Sequence, residues 1–316
     1  MREALVQESS RFILMSKHGM AHKSIPSMDD QHEPRIEPLY LSGDDIHIAL
    51  SQLDMSLDDM IAAEDSSTLL AWVGSYQEHD YWVVRVPALE ELSLGEWKPL
   101  REFGDRLERS VDAGILATAN GLVEFHKSHG FCSACGVSTI ASKAGASRKC
   151  NGCNRSIYPR MDVAAIMLIT SPCGNYALLG RKENWPQGRY STLSGFAEVG
   201  ETLEECCMRE TFEEGGVVVD PSSVSFVASQ PWPFPRSLMV GFQGRAKYAG
   251  EGLPTINVDE EEMEDVQWFS RDYVRERVAG GSTAMGYQPT AEEAEFHIPG
   301  RSSLARVLIT KWVESE

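Results

Sequence analysis

The sequence predicts a mixed α+β fold of the α/β class, arranged as consecutive domains along 316 residues. Short segments rich in β-branched and aromatic residues dominate the chain, which indicates strands. Helical periodicity is expected in the middle and at the end of the C-terminal half. Two close pairs of cysteines mark a small module between the larger parts. We therefore expect domains at residues 1–125, 126–160 and 161–316.

Composition and charge limit the functional classes. Hydrophobic residues make up 42% and charged residues 24% of the chain, as in ordinary soluble globular proteins. No run of about 18 apolar residues predicts a membrane span, and the N-terminus lacks the pattern of a secretory or transit signal. We expect a cytoplasmic protein with no membrane partner. The net charge of -18 argues against general affinity for nucleic acids or anionic membranes.

The first 125 residues predict structure but no chemistry. Residues 67–76 and 80–89 have the composition of β-strands. Residues 95–130 carry apolar side chains close to a 3.6-residue period, which predicts a helix. No motif in this part points to a function.

The C-terminal half alternates strands and helices. Strands are expected at 162–171, 175–182, 217–220, 224–230, 238–248 and 266–270, and helices at 202–214 and 303–315. The stretch SQPWPFPRSLM, residues 229–239, has proline at every second position. Because proline fixes φ and removes the N–H donor, we expect a rigid extended loop there. Its two aromatics either plug a turn or serve a ligand.

Four cysteines follow the pattern C-x2-C-x14-C-x2-C. Four thiolates on two tight knuckles suit tetrahedral Zn²⁺, and no open ligand position is evident, so a structural zinc ribbon is predicted. A redox pair is the alternative. The ligands would be Cys132, Cys135, Cys150 and Cys153. Residues 126–160 hold six Lys or Arg and no Asp or Glu. These cations either contact a phosphate backbone or form a solvated face.

Residues 195–217, GFAEVGETLEECCMRETFEEGGV, carry a crowd of carboxylates. On a helix, Glu210, Glu213 and Glu214 fall within an arc of about 100°. Like charges so close repel each other, and a hard divalent cation such as Mg²⁺ or Mn²⁺ would relieve the repulsion. A solvated acidic helix is the alternative. Arg209 is the only local positive charge; we expect it on another face, paired with Glu201.

The spacing of this segment fits G-x5-E-x7-R-E-U-x-E-E-x-G-U, the Nudix box, with Thr211 in place of one aliphatic residue. A cysteine ribbon before the box and the SQPWPFPRSLM stretch after it make residues 125–316 resemble the NADH pyrophosphatase family of the Nudix hydrolases. That family is also described as removing NAD caps from RNA. The resemblance implies a Nudix α/β/α sandwich, preceded by the zinc ribbon and a divergent N-terminal α+β domain.

The resemblance also implies site residues. The catalytic, metal-binding carboxylates would be Glu210, Glu213, Glu214 and Glu262, with the Ala305 carbonyl near the metal. The substrate would contact Phe196, Trp232, Ser237, Tyr158 and Ala305. Trp232 would come from the partner subunit, which requires a homodimer.

The function implied is Mg²⁺- or Mn²⁺-dependent hydrolysis of the diphosphate of NADH or NAD⁺, giving NMNH or NMN plus AMP. Removal of a 5′ NAD cap from RNA is a second version of the same chemistry. Another nucleoside diphosphate derivative such as ADP-ribose is the alternative substrate, and a nucleotide-binding protein without turnover is the alternative class. One glutamate would accept a proton from water. The sequence does not say which.

Overall fold

A computed structural model describes residue 5 and residues 7–25, 35–62, 68–87, 95–248, 250–278 and 296–315. The chain forms two compact units. The first comprises the residues up to Arg160 together with Pro233–Arg236, and the second comprises the rest. The separate ribbon domain at 126–160 stays a prediction.

The first unit is built on a seven-stranded sheet in the order β3-β2-β1-β6-β5, with β4 beside β1 and β7 beside β2. Its strands are β1 Ser10–Ser16, β2 Gly19–Ile25, β3 Arg35–Pro38, β4 Tyr40–Leu41, β5 Leu69–Tyr76, β6 His79–Arg85 and β7 Glu96–Lys98. Its helices are α1 Gly43–Ser51, α2 Leu57–Ala62, α3 Leu100–Phe103 and α4 Ser110–Ser128. A second, three-stranded sheet follows, formed by β8 Thr139–Ser142, β9 Ser147–Cys150 and β10 Ser156–Ile157.

The predicted strands at 67–76 and 80–89 are present as β5 and β6, but the helix predicted over 95–130 is wrong in its first half. Residues 96–98 pair with β2 instead, so their backbone groups find partners in the sheet. Pro99 then has no N–H to continue a ladder, and a short helix and a 3-10 turn at Gly104–Arg106 intervene. The long helix starts only at Ser110.

The second unit is an α/β/α sandwich. Its sheet has the order β14-β15-β11-β12-β16, and β13 pairs with β11. The side chains of β11 alternate: Ala165 and Met167 pack toward one helix, and Ile166 and Leu168 toward another. The strands are β11 Asp162–Thr170, β12 Tyr176–Arg181, β13 Leu193–Phe196, β14 Ser225–Trp232, β15 Ser237–Arg245 and β16 Asp265–Ser270. The helices are α5 Leu203–Gly215, α6 Arg271–Val278 and α7 Leu304–Glu314. Helix α5 covers one face of the sheet and α7 the other.

Two expectations for this unit are wrong. Residues 217–220 form no strand; only Val219 bridges to Ala246. The stretch 229–239 is not a loop but the end of a hairpin, because β14 continues through Pro231 to Trp232 and β15 begins at Ser237. Proline is tolerated there because β14 is an edge strand.

Strand β13 and helix α6 were not predicted. No helix among the described residues combines the length and apolar character that crossing a bilayer requires.

Candidate functional site

Helix α5 has both ends fixed by its own sequence. The Thr202 hydroxyl accepts from the Glu205 N–H at 3.2 Å, and the Glu205 carboxylate accepts from the Thr202 N–H at 2.9 Å. This capping box sets the first turn. Gly216 ends the helix in the left-handed conformation, at φ 68°. The glutamates of the last two turns are therefore held at defined positions.

Three carboxylates meet beside this helix. Oxygen atoms of Glu210, Glu214 and Glu262 all lie within 4.8 Å of one another. Glu210 and Glu214 are buried, with Glu214 only 1% exposed, whereas Glu262 is exposed. Glu262 comes from the segment before β16, so the sheet brings it to the helix. Glu213, the fourth predicted ligand, is not part of this group.

Burial dominates the electrostatics of the group. It raises the pKa of Glu214 to about 7 and also raises the pKa of Glu210. Lys182 opposes the shift at Glu214, with its Nζ 3.5 Å from the carboxylate. The Ser194 N–H donates to the same carboxylate at 3.3 Å. Arg209 is the only Lys or Arg within residues 195–217, as expected, but Lys182, directly after the end of β12, adds a second cation that no local sequence signal marks.

Arg209 joins the carboxylates rather than lying on another face. It donates to Glu201 at 2.8 Å, as expected, but also to Glu210 at 2.8 Å and to Glu213 at 2.7 Å. It further holds the carbonyl oxygen of Phe196 at 2.9 Å. The hydrogen bond from Arg209 lowers the pKa of Glu201 to about 2. The guanidinium thus locks the loop before α5 to the acidic end of the helix.

Gly195 is required because the Glu210 carboxylate packs directly against its backbone, and not because the chain turns there. It lies inside β13, and a Cβ added there would lie 1.8 to 2.1 Å from the Glu210 carboxyl atoms. Gly200 does occupy the left-handed region, at φ 90°. The first glycine of the box therefore makes room for a buried carboxylate.

The predicted substrate residues of the second unit lie mainly on the α7 side of the sheet. Phe196 pairs with Ala164, and Trp232 pairs with Ser237, which pairs with Asp162. Residues paired in register point to the same face of a sheet, and so do every second residues of one strand. Residues 162 and 164 therefore point to the same face as Ile166, which packs toward α7. Phe196 is 58% exposed, and Ser237 is buried.

Two further predicted residues are Ala305 and Tyr158. Ala305 is buried in the first turn of α7, on the face of the sheet opposite α5. Tyr158 belongs to the first unit. It is exposed there, and its hydroxyl accepts from Lys143 Nζ at 3.0 Å.

The four cysteines form a second group, whose Sγ atoms also lie within 4.8 Å of one another. Cys132 Sγ is 3.8 Å from Cys153 Sγ, and Cys135 Sγ is 3.4 Å from Cys150 Sγ. The N–H groups of Cys153 and Gly152 donate to Cys150 Sγ and lower the pKa of that thiol to about 6. Donors that stabilise a thiolate suit a tetrahedral metal site.

Comparison with known proteins places residues 160–284 in the NUDIX domain family. NAD-capped RNA hydrolase NUDT12 of Homo sapiens is 35% identical over 213 residues, covering 65% of this chain and 42% of that protein. NAD-capped RNA hydrolase NudC of Mycobacterium bovis is 34% identical over 238 residues, covering 74% of this chain and 72% of that protein. NAD(P)H pyrophosphatase NUDT13, mitochondrial, of Homo sapiens is 31% identical over 320 residues, covering 99% of this chain and 82% of that protein. The chain thus spans less than half the length of the first of these relatives.

Proposed function

We propose an activity from the premise that this chain belongs to the NADH pyrophosphatase family of the Nudix hydrolases. The activity is hydrolysis of the diphosphate of NADH or NAD⁺. Water adds to one phosphorus, the bridging P–O bond breaks, and NMNH or NMN and AMP are released. The observation that carries the proposal is the meeting of Glu210, Glu214 and Glu262 beside the helix of the Nudix box.

Nudix enzymes depend on divalent metals, and we assign Mg²⁺ or Mn²⁺ to these carboxylates. Two buried carboxylates and one exposed carboxylate are hard oxygen donors that need a cation to offset their repulsion. Such an ion, when bound, would neutralise the diphosphate and lower the pKa of water. We assign Zn²⁺ to the four cysteines, in a structural role.

The chain's own residues supply orientation. Arg209 holds Glu210 and Glu213 in fixed rotamers through its two short hydrogen bonds. Lys182 and the Ser194 N–H hold Glu214. Glu213 is half-exposed, paired with Arg209 and outside the carboxylate group, and it is our choice for proton transfer with water.

The sheet register supports a homodimer. Phe196 lies on β13 and Trp232 on β14, and β11 and β15 lie between those strands. Three strand spacings amount to about 14 Å, and strand side chains stand roughly perpendicular to the sheet. One flat ring sandwiched between two aromatics needs them about 7 Å apart. We therefore propose that a flat ring of the substrate stacks on Phe196 and that Trp232 of a second copy stacks on its other side.

Ser237, Tyr158 and the Ala305 carbonyl stay proposed contacts of the dinucleotide, by resemblance alone. A second candidate substrate is RNA carrying a 5′ NAD cap, because two of the relatives named above are NAD-capped RNA hydrolases. The diphosphate bond cleaved would be the same. A cytoplasmic location stays a prediction.

The test is product chromatography after incubating the purified full chain and Mg²⁺ with NADH, NAD-capped RNA and ADP-ribose in parallel. NMNH plus AMP from NADH, absent with Glu214→Gln, is the expected result. Cleavage of ADP-ribose without cleavage of NADH would make another nucleoside diphosphate derivative the substrate, and the carboxylates would keep their proposed role. Binding of NADH without any turnover would indicate a nucleotide-binding protein.

A further inference from the structure

We propose that helix α4 holds Trp232 in place for stacking, by anchoring the tip of the hairpin that follows this residue. The hairpin tip is the turn Pro233–Arg236 between β14 and β15. Asn120 and Phe234 are the positioning residues in this proposal, and neither touches the substrate. The inference rests on the proposed function, because Trp232 is the ring that we propose to stack on the substrate. It gives the first unit a part in substrate binding.

The hairpin tip belongs to the first unit, whereas the residues on either side of it belong to the second. Trp232 pairs with Ser237 at the last position of the register between β14 and β15. A single peptide bond joins Trp232 to the first residue of the tip. Whatever fixes the tip within the first unit therefore also restrains the backbone of Trp232.

Asn120 forms the polar anchor of the tip. Its Nδ2 donates to the carbonyl oxygen of Pro233 at 2.7 Å, across 113 positions of sequence. Pro233 is buried, and because proline has no N–H, this carbonyl is the one backbone group that it offers to a partner. Asparagine is a poorer helix former than alanine, so helix formation alone does not favour it at this position of α4. The contact with the tip supplies a reason for an amide side chain there.

Phe234 forms the apolar anchor. Its ring packs against a buried cluster that the sheet of the first unit builds together with α4. The residues that the helix contributes to this cluster are Leu116, Ala119 and Val123. Asn120 directly follows one of them, so the polar and the apolar anchors use the same stretch of the helix.

The two aromatics of the hairpin thus have different surroundings. Phe234 packs into the core of the first unit, whereas Trp232 lies before the tip, on the last position of an edge strand. Two of the four tip residues are prolines without an N–H, so the tip relies on outside groups more than an ordinary turn does. A ring that is held before binding loses less conformational entropy when a substrate stacks on it. Phe234 therefore serves the fold so that Trp232 can serve the ligand.

The first experiment follows hydrogen–deuterium exchange of the full chain without substrate. Asn120→Ala should speed exchange of the N–H groups in residues 229–239 by about 2- to 12-fold, because local opening becomes easier by the worth of one hydrogen bond. Exchange in helix α5, Leu203–Gly215, should not change. The matched control is Thr118→Ala, an exposed residue of α4 whose hydroxyl donates within its own helix to the Gly114 carbonyl.

The second experiment separates positioning from a general loss of structure. Asn120→Ala should raise KM for NADH by about 2- to 5-fold and leave kcat unchanged, because the carboxylates stay in place and only the stacking ring is loosened. In the Trp232→Ala background the same substitution should raise KM no further, since Asn120 acts only through that ring. A residue with a merely structural role would have the same effect in both backgrounds.

Phe234 tests the apolar anchor. Phe234→Ala should raise KM for NADH at least as much as Asn120→Ala, whereas Phe234→Leu keeps an apolar side chain and should keep most of the affinity. Val73→Ala is the matched control. It removes apolar atoms from β5 against the same cluster, and it should lower the unfolding temperature without changing KM. If Phe234→Ala does not fold, Asn120→Ala carries the test alone.

The outcomes distinguish this inference from the proposed function. Unchanged exchange in the hairpin of Asn120→Ala overturns the anchoring, and so does an equal rise in KM with and without Trp232; NADH hydrolysis by the wild type is untouched in both cases. If the wild type binds NADH without cleaving it, the proposed function fails, and Kd for NADH measured by calorimetry without added Mg²⁺ replaces KM. Weaker binding in Asn120→Ala but not in Thr118→Ala would then support the inference. A wild type that neither binds nor cleaves NADH would overturn both.

Discussion

The cysteine group and the carboxylate group bring their ligands together in different ways. All four cysteines lie between Cys132 and Cys153, on two knuckles whose own backbone N–H groups point at the sulfur atoms. The carboxylates come from a helix and from the segment before β16. The comparison teaches that ligands on tight turns are positioned by local sequence. Ligands on a helix meet a ligand from another element only once the sheet has formed.

The two groups also differ in what they do for stability. Two of the carboxylates are buried like charges, and burial raises the pKa of both. They therefore oppose folding until a cation neutralises them. Thiolates around zinc favour folding instead. Removing a carboxylate should therefore lower activity, and removing a cysteine should lower the stability of the fold.

The largest effect is expected for Glu214→Gln. We expect kcat on NADH to fall at least about 100-fold, because a charge that holds the cation is lost. The unfolding temperature of the metal-free protein should not fall, since a neutral amide replaces a buried charge. Steady-state kinetics and calorimetry measure both.

Glu204→Gln is the control, an exposed glutamate of the same helix with the same change in charge. Glu213→Gln should also nearly abolish turnover, while Mg²⁺ affinity should fall less than in Glu214→Gln. Equal loss of Mg²⁺ affinity in both variants would place Glu213 among the ligands and remove our assignment for proton transfer.

Cys150→Ser should show the reverse pattern. Zinc content should fall from about one atom per chain to near zero, and the unfolding temperature should drop by about 5 °C or more. Cys173→Ser, an exposed thiol outside the group, should change neither. Elemental analysis and thermal unfolding decide this, and a zinc-free wild type would refute the metal assignment.

A smaller, pH-dependent effect is expected for His126, a buried residue near the end of helix α4. Its Nε2 lies 2.8 Å from the Gly145 carbonyl, and its Nδ1 accepts from Arg148. Burial lowers the pKa of His126 to about 4. The folded state therefore favours the neutral ring, so the stability it contributes is complete above pH 6.5 and is lost as pH falls toward 4.

The loss reaches about 3 kcal/mol by pH 4. Denaturant unfolding at several pH values should show His126→Gln with a flatter dependence than wild type below pH 6.5. His47→Gln, an exposed histidine of the same unit, should follow wild type. The same dependence of stability on pH in all three proteins would contradict the assignment of His126 as a buried, neutral ring.

The smallest effect is expected for Trp232→Ala. Loss of one stacking ring should raise KM for NADH by about 5-fold or more, with little change in unfolding temperature. Phe226→Ala removes an exposed aromatic from the same strand and should leave KM unchanged. A collapse of stability in Trp232→Ala alone would mean that the ring serves the hairpin and not a ligand.

Local patterns predicted helix α5, because each of its ends is set within one turn, the start by Thr202 with Glu205 and the end by Gly216. They failed at β7, where pairing with the distant strand β2 gives the backbone its partners, and at the end of β14, where residues 231 and 232 pair with β15. Lys182 and Ser194 were missed for the same reason. Each reaches Glu214 only after the sheet has formed.

The sequence by itself determined the donor types and their spacing, hence a cysteine centre, an acidic helix and the family. The tertiary structure alone decided that Arg209 spans three carboxylates, that Glu262 joins the group and Glu213 does not, and which cations of the ribbon face solvent. Spacing along a chain fixes geometry within a turn or two. Distances between elements depend on how their apolar faces pack.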